Sequence, residues 1–201
     1  MIIATTTEYG TDEDSEIASR VTRSVFDNFM RRPSLEDRAI RTIAIIANND
    51  LAIMNAKEEE PVSCDAAFVF VDRGKARFLI SGSSVCCHFE DGKLVHRSLR
   101  EEAEAIGSGM RFEPRLEPAF EIQTGKNAFL AGSRSLAENL TDQDLEETLQ
   151  ESETPEEWMR RLRQRMGEEK QFCAITAFLP PEKPLLKLFS RREKSIGGTR
   201  E

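Results

Sequence analysis

The sequence of 201 residues predicts an α+β domain in which helices cover antiparallel strands. Two long segments before residue 56 repeat apolar side chains at the spacing of amphipathic helices. From residue 64 the pattern changes to the two-residue alternation of strands, and Asp91-Gly92 marks a hairpin turn. Helical spacing returns after Thr141 and is followed by one more apolar strand. Helices, then hairpins, then helices again are typical of a layered α+β domain.

The amino-terminal third is predicted to form one strand and two long helices. Residues 2–5 have the composition of a short strand, and residues 16–30 follow with a helical pattern. Pro33 ends that helix, and the acidic residues after it begin a second one. The apolar stripes are Ile17, Val21, Val25, Phe26 and Phe29 in the first helix and Ile40, Ile43, Ala44, Ala47, Leu51 and Met54 in the second.

The middle of the chain is predicted to be rich in strands, because β-branched and aromatic residues alternate with smaller or polar ones. A short helix over residues 100–106 is expected to end at Gly107, followed by a loop to residue 118. The predicted strands are 64–72, 75–82, 84–91, 93–98, 119–123 and 127–132, the last two joined by residues 124–126.

The last third is predicted to contain two helices and a closing strand. Thr141 is the expected N-cap of a helix over residues 142–149, and Thr154 caps a helix that starts with Pro155. Residues 172–179 read as the final strand. We expect residues 1–180 to form a single domain and residues 181–201 to be a charged, mobile tail.

Charge and composition exclude several classes of protein. A net charge of −8 and a pI near 5.1 disfavour binding to nucleic acid, which requires a basic surface. No stretch has the roughly 18 uninterrupted apolar residues of a membrane helix, and the start lacks the basic and apolar regions of a signal peptide. Four cysteines are too few for a disulfide framework. We therefore expect a cytoplasmic protein with reduced thiols and no membrane partner.

One group of metal-ligating residue types lies around the predicted hairpin, namely Cys86, Cys87, His88 and His96. Strand alternation sends adjacent side chains to opposite faces, so Cys86 and Cys87 cannot both bind one ion. We therefore expect structural cysteines here rather than zinc ligands. Cys173 is likewise expected to be buried and unreactive.

Four segments carry a pattern of motifs in a fixed order. Residues 133–145, SRSLAENLTDQDL, resemble the Ser-Asp-Gly-Leu-Thr-Glu-Asn-Leu-Thr segment of the metal-dependent (PPM-type, 2C-class) serine/threonine protein phosphatases, with Arg134 at the Asp. The segment from Thr7-Glu8 resembles the family's Asp-Gly-x-Gly-Ser, and Gly82-Ser83 its Gly-Asp-Ser-Arg. Residues 171–180 resemble its Asp-Asn-Ile-Thr strand, with Cys173 at the Asp.

The resemblance implies an α-β-β-α sandwich, in which two antiparallel sheets are flanked by helices. It also implies a centre of two Mn²⁺ or Mg²⁺ ions held by carboxylates, as hard cations require. Here Thr7, Ser83, Arg134 and Cys173 stand at the ligand positions, and a guanidinium cannot coordinate a cation. We therefore expect no metal cofactor and assign no catalytic residue.

An acidic cluster beside the first motif leaves one alternative open. Its candidates for a single displaced ion are Glu8, Asp12 and Asp14, and the other interpretation is a solvated acidic turn at a helix N-terminus. The family also has two strands before its first Asp-Gly, whereas only six residues precede Thr7 here. We therefore expect an exposed sheet edge and a homo-oligomer formed through it.

Three functional hypotheses follow from the resemblance. The first is an inactive pseudophosphatase that binds or regulates a partner protein or phosphoprotein. In its sharper form Arg134 binds an anion, and the alternative is an Arg134 paired with Glu138. The second is an active protein serine/threonine phosphatase with displaced ligands, Glu8 with Asp12 or Asp14. The third is an oligomeric structural module.

Overall fold

The computed structural model describes residues 2–6, 12–56, 61–98, 103–109, 112–167, 170 and 172–179. Two antiparallel sheets pack face to face, and helices cover the outer face of each. This is the α-β-β-α sandwich that the sequence resemblance implied. Residues 180–201, which include the predicted tail at 181–201, lie outside the described part of the chain.

The described residues form nine strands, namely β1 (Ile2–Thr6), β2 (Asp65–Asp72), β3 (Lys75–Ser81), β4 (Val85–Glu90), β5 (Lys93–Arg97), β6 (Arg115–Leu116), β7 (Phe120–Glu121), β8 (Asn127–Gly132) and β9 (Ala174–Leu179). The first sheet has the order β1-β2-β3-β6, and β7 also pairs with β3. The second sheet has the order β5-β4-β8-β9. In the described residues β1 pairs only with β2, so it forms one edge of the first sheet.

Five helices lie in the described residues, two on the first sheet and three on the second. No helix in this part of the chain combines the length and apolar composition needed to cross a membrane. The helices are α1 (Asp12–Arg31), α2 (Asp37–Asn55), α3 (Arg134–Asn139), α4 (Asp142–Gln150) and α5 (Pro155–Met166).

Strand alternation divides the core into three layers. In β2, Phe68 and Phe70 pack against α1 and α2, while Val69 faces the second sheet. In β4, Cys86 lies between the sheets and Cys87 lies against the helices of the second sheet. The two adjacent cysteines therefore face opposite sides, as predicted.

The helix starts of the last third also agree with the predictions. The Thr141 hydroxyl accepts a hydrogen bond from the Asp144 N–H, and the Asp144 carboxylate accepts one from the Thr141 N–H. At the start of α5 the Thr154 hydroxyl accepts a hydrogen bond from the Glu157 N–H, with Pro155 in the first turn.

In the middle of the chain one prediction is wrong, and one connection between strands crosses from sheet to sheet. The described part of the predicted helix at 100–106, residues 103–106, is not helical, because Ile106 exchanges backbone hydrogen bonds with Cys64. The strands predicted at 119–123 and 127–132 do not lie in one sheet. Phe120 and Glu121 pair with β3, whereas β8 lies inside the second sheet, so the chain crosses between sheets here.

Candidate functional site

The fold brings the motif residues to one end of the sandwich. Strand pairing places Thr6 beside Asp65 and Ala66 beside Ser81, so β1, β2 and β3 meet at this end. The loop at residues 82–84 then leads from β3 into β4 of the other sheet. There Gly132 pairs with both Val85 and Ala174, so β8 ends and β9 begins at the same end. We call Asp65, Ser83, Ser133, Arg134 and Cys173 the motif end.

Asp65 is the residue of the motif end that sequence reasoning missed. Its carboxylate Oδ2 accepts a hydrogen bond from the Ser83 N–H at 2.9 Å. A Cβ atom on Gly82 would lie 1.6 Å from Asp65 Oδ1, and the φ of Gly82 is +67°. Gly82 is therefore required both by its left-handed backbone and by the approach of this carboxylate. The available sequence signal was an acidic residue at the start of an otherwise apolar strand.

Ser83, which replaces the family's Asp, is half-buried, and its backbone N–H is used by Asp65. The loop around it is tied to the segment at 103–104: Gly82 donates to the Glu104 carbonyl at 3.2 Å and accepts from the Ala103 N–H at 3.1 Å. The neighbouring Ser84 hydroxyl is buried and has no hydrogen-bond partner within the described residues. The loop is thus held by backbone contacts.

Cys173 contributes its backbone to the motif end. Its carbonyl accepts a hydrogen bond from the Ser133 N–H at 2.8 Å, and its N–H donates to Ser133 Oγ at 3.2 Å. The side chain is exposed, so the prediction of a buried Cys173 is wrong: the residue precedes the first ladder position of β9. Partial desolvation by the surrounding chain raises the pKa of the Cys173 thiol. The protonated thiol is a poor metal ligand and a poor nucleophile at neutral pH.

Arg134 is the first residue of α3, a helix that the sequence analysis did not predict. Its Nε lies 2.5 Å from Glu138 Oε1, one turn further along the same helix. Both side chains are more than half exposed, at 57% and 55%. The structure therefore contains the Arg134–Glu138 ion pair that the sequence analysis gave as the alternative to anion binding. Binding of an anion by Arg134 stays a prediction.

The described residues of the motif end do not fit a centre of two hard cations. A serine, an arginine and a protonated thiol lie where the sequence resemblance puts carboxylates, and Asp65 accepts a backbone hydrogen bond. No group of three or more His, Cys, Asp or Glu in the described part of the chain could hold a metal ion.

The first motif, which begins at Thr7-Glu8, lies largely outside the described residues. Thr7 and Glu8 are outside the described residues, and of Asp12 and Asp14 only the backbone, at the start of α1, is described. The expected absence of a metal cofactor and the alternative site at Glu8, Asp12 and Asp14 therefore both stay predictions.

His88 forms a second polar group between the sheets, away from the motif end. Its Nε2 lies 2.8 Å from Asn127 Oδ1, and its buried Nδ1 has no hydrogen-bond partner among the described residues. The ring stacks on Phe129, with centroids 4.5 Å apart, and on His96 at 5.7 Å. Burial lowers the pKa of His88, so the neutral imidazole is favoured.

The comparisons with known proteins agree with the fold. No protein-family model matches the sequence, and no curated protein is significantly similar to it. Solved structures do match: a bacterial serine phosphatase aligns with a TM-score of 0.73 at 13% identity, covering 90% of this chain and 86% of that one.

Two further structures give similar values. PppA, a key regulatory component of T6SS in Pseudomonas aeruginosa, aligns with a TM-score of 0.68 at 15% identity, covering 88% of this chain and 85% of PppA. The catalytic domain of the serine threonine protein phosphatase PstP in complex with two manganese ions aligns with a TM-score of 0.66 at 15% identity, covering 89% and 86%. The fold of this chain is therefore that of the PPM-type, phosphatase 2C-like serine/threonine phosphatases.

Proposed function

We propose that this chain is a catalytically inactive phosphatase 2C-like domain, a pseudophosphatase, that binds or regulates a protein partner. One observation carries the proposal: Asp65, Ser133, Arg134 and Cys173 of the motif end each have a hydrogen-bond or ion-pair partner within the fold. Asp65 accepts from Ser83, Ser133 and Cys173 exchange hydrogen bonds, and Arg134 pairs with Glu138. Such an arrangement offers little to a cation and stabilises the strand ends.

Electrostatics supports the same proposal. A guanidinium about 4 Å from a divalent cation is repelled by about 2 kcal/mol even in bulk water, and by more where water is excluded. Arg134 therefore opposes a metal at the position where the resembling family has an Asp. The single described carboxylate that lies against Ser83, Asp65, cannot replace several anionic ligands.

A regulatory role has a precedent in the fold. PppA is described as a key regulatory component of T6SS, although it shares only 15% identity with this chain. We infer a regulatory or binding role of this kind, with the partner undefined.

We further propose a cytoplasmic location and a homodimer formed through the edge of β1. Sedimentation at increasing protein concentration would test the homodimer.

Metal analysis and a phosphoester assay on the same sample test inactivity. The full chain is purified with Mn²⁺, its metal content is measured, and hydrolysis of a generic phosphoester is followed with and without a chelator. We expect no stoichiometric manganese and no chelator-sensitive hydrolysis. Two bound ions with chelator-sensitive hydrolysis would refute the proposal and favour the displaced-ligand enzyme.

A matched variant locates any activity that is found. Glu8→Gln removes one displaced candidate ligand and keeps nearly the same shape, so it would abolish activity that depends on the acidic cluster.

Calorimetric titration with a phosphoserine peptide tests the anion-binding form of the proposal separately. Heat that disappears in Arg134→Ala would support anion binding, and equal heat in both proteins would reject it.

A further inference from the structure

The end of the sandwich opposite the motif end contains a groove of about 890 Å³. The β4–β5 hairpin, the start of β8, the end of β9 and the turn between α4 and α5 surround it. We call this region the hairpin end. Its volume is within the range of pockets that hold small ligands or peptide segments.

The walls of the groove are fixed by hydrogen bonds within the fold. Asp91 and Lys126 exchange two: the Asp91 N–H donates to the Lys126 carbonyl at 2.8 Å, and the Lys126 N–H donates to Asp91 Oδ1 at 3.0 Å. Gln150 Nε2 donates to the Gly92 carbonyl at 3.0 Å, joining α4 to the hairpin. The groove is therefore formed before anything enters it, which lowers the entropic cost of filling it.

The lining has an apolar floor and a charged rim. Ala128 and Leu149 are buried and Phe178 is half-buried, whereas Asp91 and Glu153 are exposed and acidic. Lys126 also lies on the rim and is exposed, so the two carboxylates and one ammonium leave the charged rim residues with a net charge of −1. An occupant that matches this surface has large apolar side chains interspersed with cations.

We propose that the groove binds the carboxy-terminal segment of the same chain, residues 182–192. The described chain ends at Leu179, which itself lines the groove, and Pro180 and Pro181 follow. Prolines lack the N–H that pairing within a sheet requires, so we expect the chain to leave the sheet after Leu179. At roughly 3.3 Å per extended residue, the segment after the prolines is within reach of the groove.

The composition of the segment is complementary to the groove. Leu185, Leu186, Leu188 and Phe189 give four large apolar side chains within five positions. Lys183, Lys187, Arg191 and Arg192 add positive charge, although the chain as a whole carries −8. Apolar side chains suit the floor, and the cations suit Asp91 and Glu153 on the rim.

Amide hydrogen exchange, followed by NMR on the full chain, tests this. In Leu185→Asp/Leu188→Asp the segment should leave the groove, and the amides of Gly92, Lys126 and Ser152 should exchange on the order of tenfold faster. Ser195→Asp/Thr199→Asp adds the same charge outside residues 182–192 and keeps the apolar run, so it should behave like the unmodified chain. Ser83 and Ser133, at the motif end, should not change in either variant.

Unchanged exchange at the hairpin end in Leu185→Asp/Leu188→Asp would overturn the proposal. A nitroxide on Ser190→Cys, in a Cys173→Ser background, gives an independent measurement. It should broaden the amide signals of Gly92 and Lys126 within the same molecule. Broadening seen only when spin-labelled chains are mixed with isotope-labelled ones would assign the groove to a second copy and reject the intramolecular segment.

Discussion

The two ends of the sandwich use the same contact in different surroundings. At the motif end the Asp65 carboxylate accepts the Ser83 N–H at 2.9 Å, and at the hairpin end the Asp91 carboxylate accepts the Lys126 N–H at 3.0 Å. Asp65 is half-buried against the backbone of Gly82, whereas Asp91 is exposed on a turn. The hydrogen bond from a backbone N–H to a carboxylate should therefore contribute more to the free energy of unfolding at Asp65 than at Asp91.

The difference also shows how each end relates to binding. At the motif end one hydrogen bond joins Asp65 of the first sheet to the loop at 82–84, and two others join Ser133 to Cys173 in the second sheet. At the hairpin end the bonds join the elements that form the walls of a groove with an apolar floor. The proposed loss of catalysis therefore concerns the motif end, and the proposed binding of the carboxy-terminal segment concerns the hairpin end.

The largest expected effect is that of Gly82→Ala. The added Cβ would meet Asp65 Oδ1 at 1.6 Å in a left-handed backbone with φ +67°, so we expect a loss of more than about 3 kcal/mol of unfolding free energy. Urea denaturation measures it. At the hairpin end, Gly92→Ala meets only the flexible Gln150 side chain, at 2.9 Å, and should cost less.

Gly74→Ala is the matched control, because its φ is +74° and its Cβ would meet nothing within 4 Å. It should lower the free energy of unfolding by about 1 kcal/mol, because only the left-handed backbone conformation opposes the added Cβ. Adding Asp65→Ala to Gly82→Ala should recover part of the loss. Equal costs at Gly82 and Gly74 would contradict the close approach of Asp65.

The next effect compares the two carboxylates directly. Asp65→Ala leaves the half-buried Ser83 N–H without its acceptor and should cost about 1–3 kcal/mol. Asp91→Ala exposes the Lys126 N–H to water, which can replace the lost acceptor, and should cost about 0.5 kcal/mol. Urea denaturation of both variants decides between them, and a larger loss for Asp91→Ala would reverse the comparison.

Much of this architecture could be predicted from local pattern. The Thr141 cap, the Pro155 helix start and the Asp91-Gly92 turn depend on neighbouring residues, and the structure has all three. The helix predicted near Ile106 failed because the backbone partner is Cys64, far away in sequence. Helix α3 was missed because six residues are too few to display a periodic stripe.

The motif end was predictable only in part. Ser83, Arg134 and Cys173 were identified through the family resemblance, and their contacts could not be read from composition or periodicity. Asp65 was missed because its partner, Ser83, is joined to it by the pairing of β2 with β3. Cys173 was misjudged because a residue just before a strand can turn its side chain to solvent.

The free energy of unfolding should depend on pH through His88, which lies nearer the hairpin end. Burial lowers the pKa of this histidine in the folded state, with Glu90 opposing and His96 adding to that shift. The unfolded chain therefore binds a proton first, and stability present above pH about 6.5 should fall as the pH drops below that value toward the lowered pKa. His88→Phe should flatten this part of the curve of unfolding free energy against pH.

The same titration separates the two ends. His88 is bonded to Asn127, which lines the groove, so amide exchange at acid pH should rise around Asn127 before it rises around Ser83. His96→Gln is the companion variant, because it keeps the His88–Asn127 contact and removes only the contribution of His96 to the lowered pKa of His88. The pH slope should therefore change less in His96→Gln than in His88→Phe. An unchanged pH slope in His88→Phe would show that another group controls the acid transition.

The smallest expected effect is at Arg134. Its pair with Glu138 is an exposed contact within one helix, and such pairs contribute about 0.3–0.5 kcal/mol. Because a cation at a helix N-terminus is itself unfavourable, Arg134→Ala should change stability by less than that amount. A double-mutant cycle of Arg134→Ala and Glu138→Ala, measured at low and high salt, gives the coupling. A coupling above about 1 kcal/mol that resists salt would mean that Arg134 is held in a less solvated site than its 57% exposure implies.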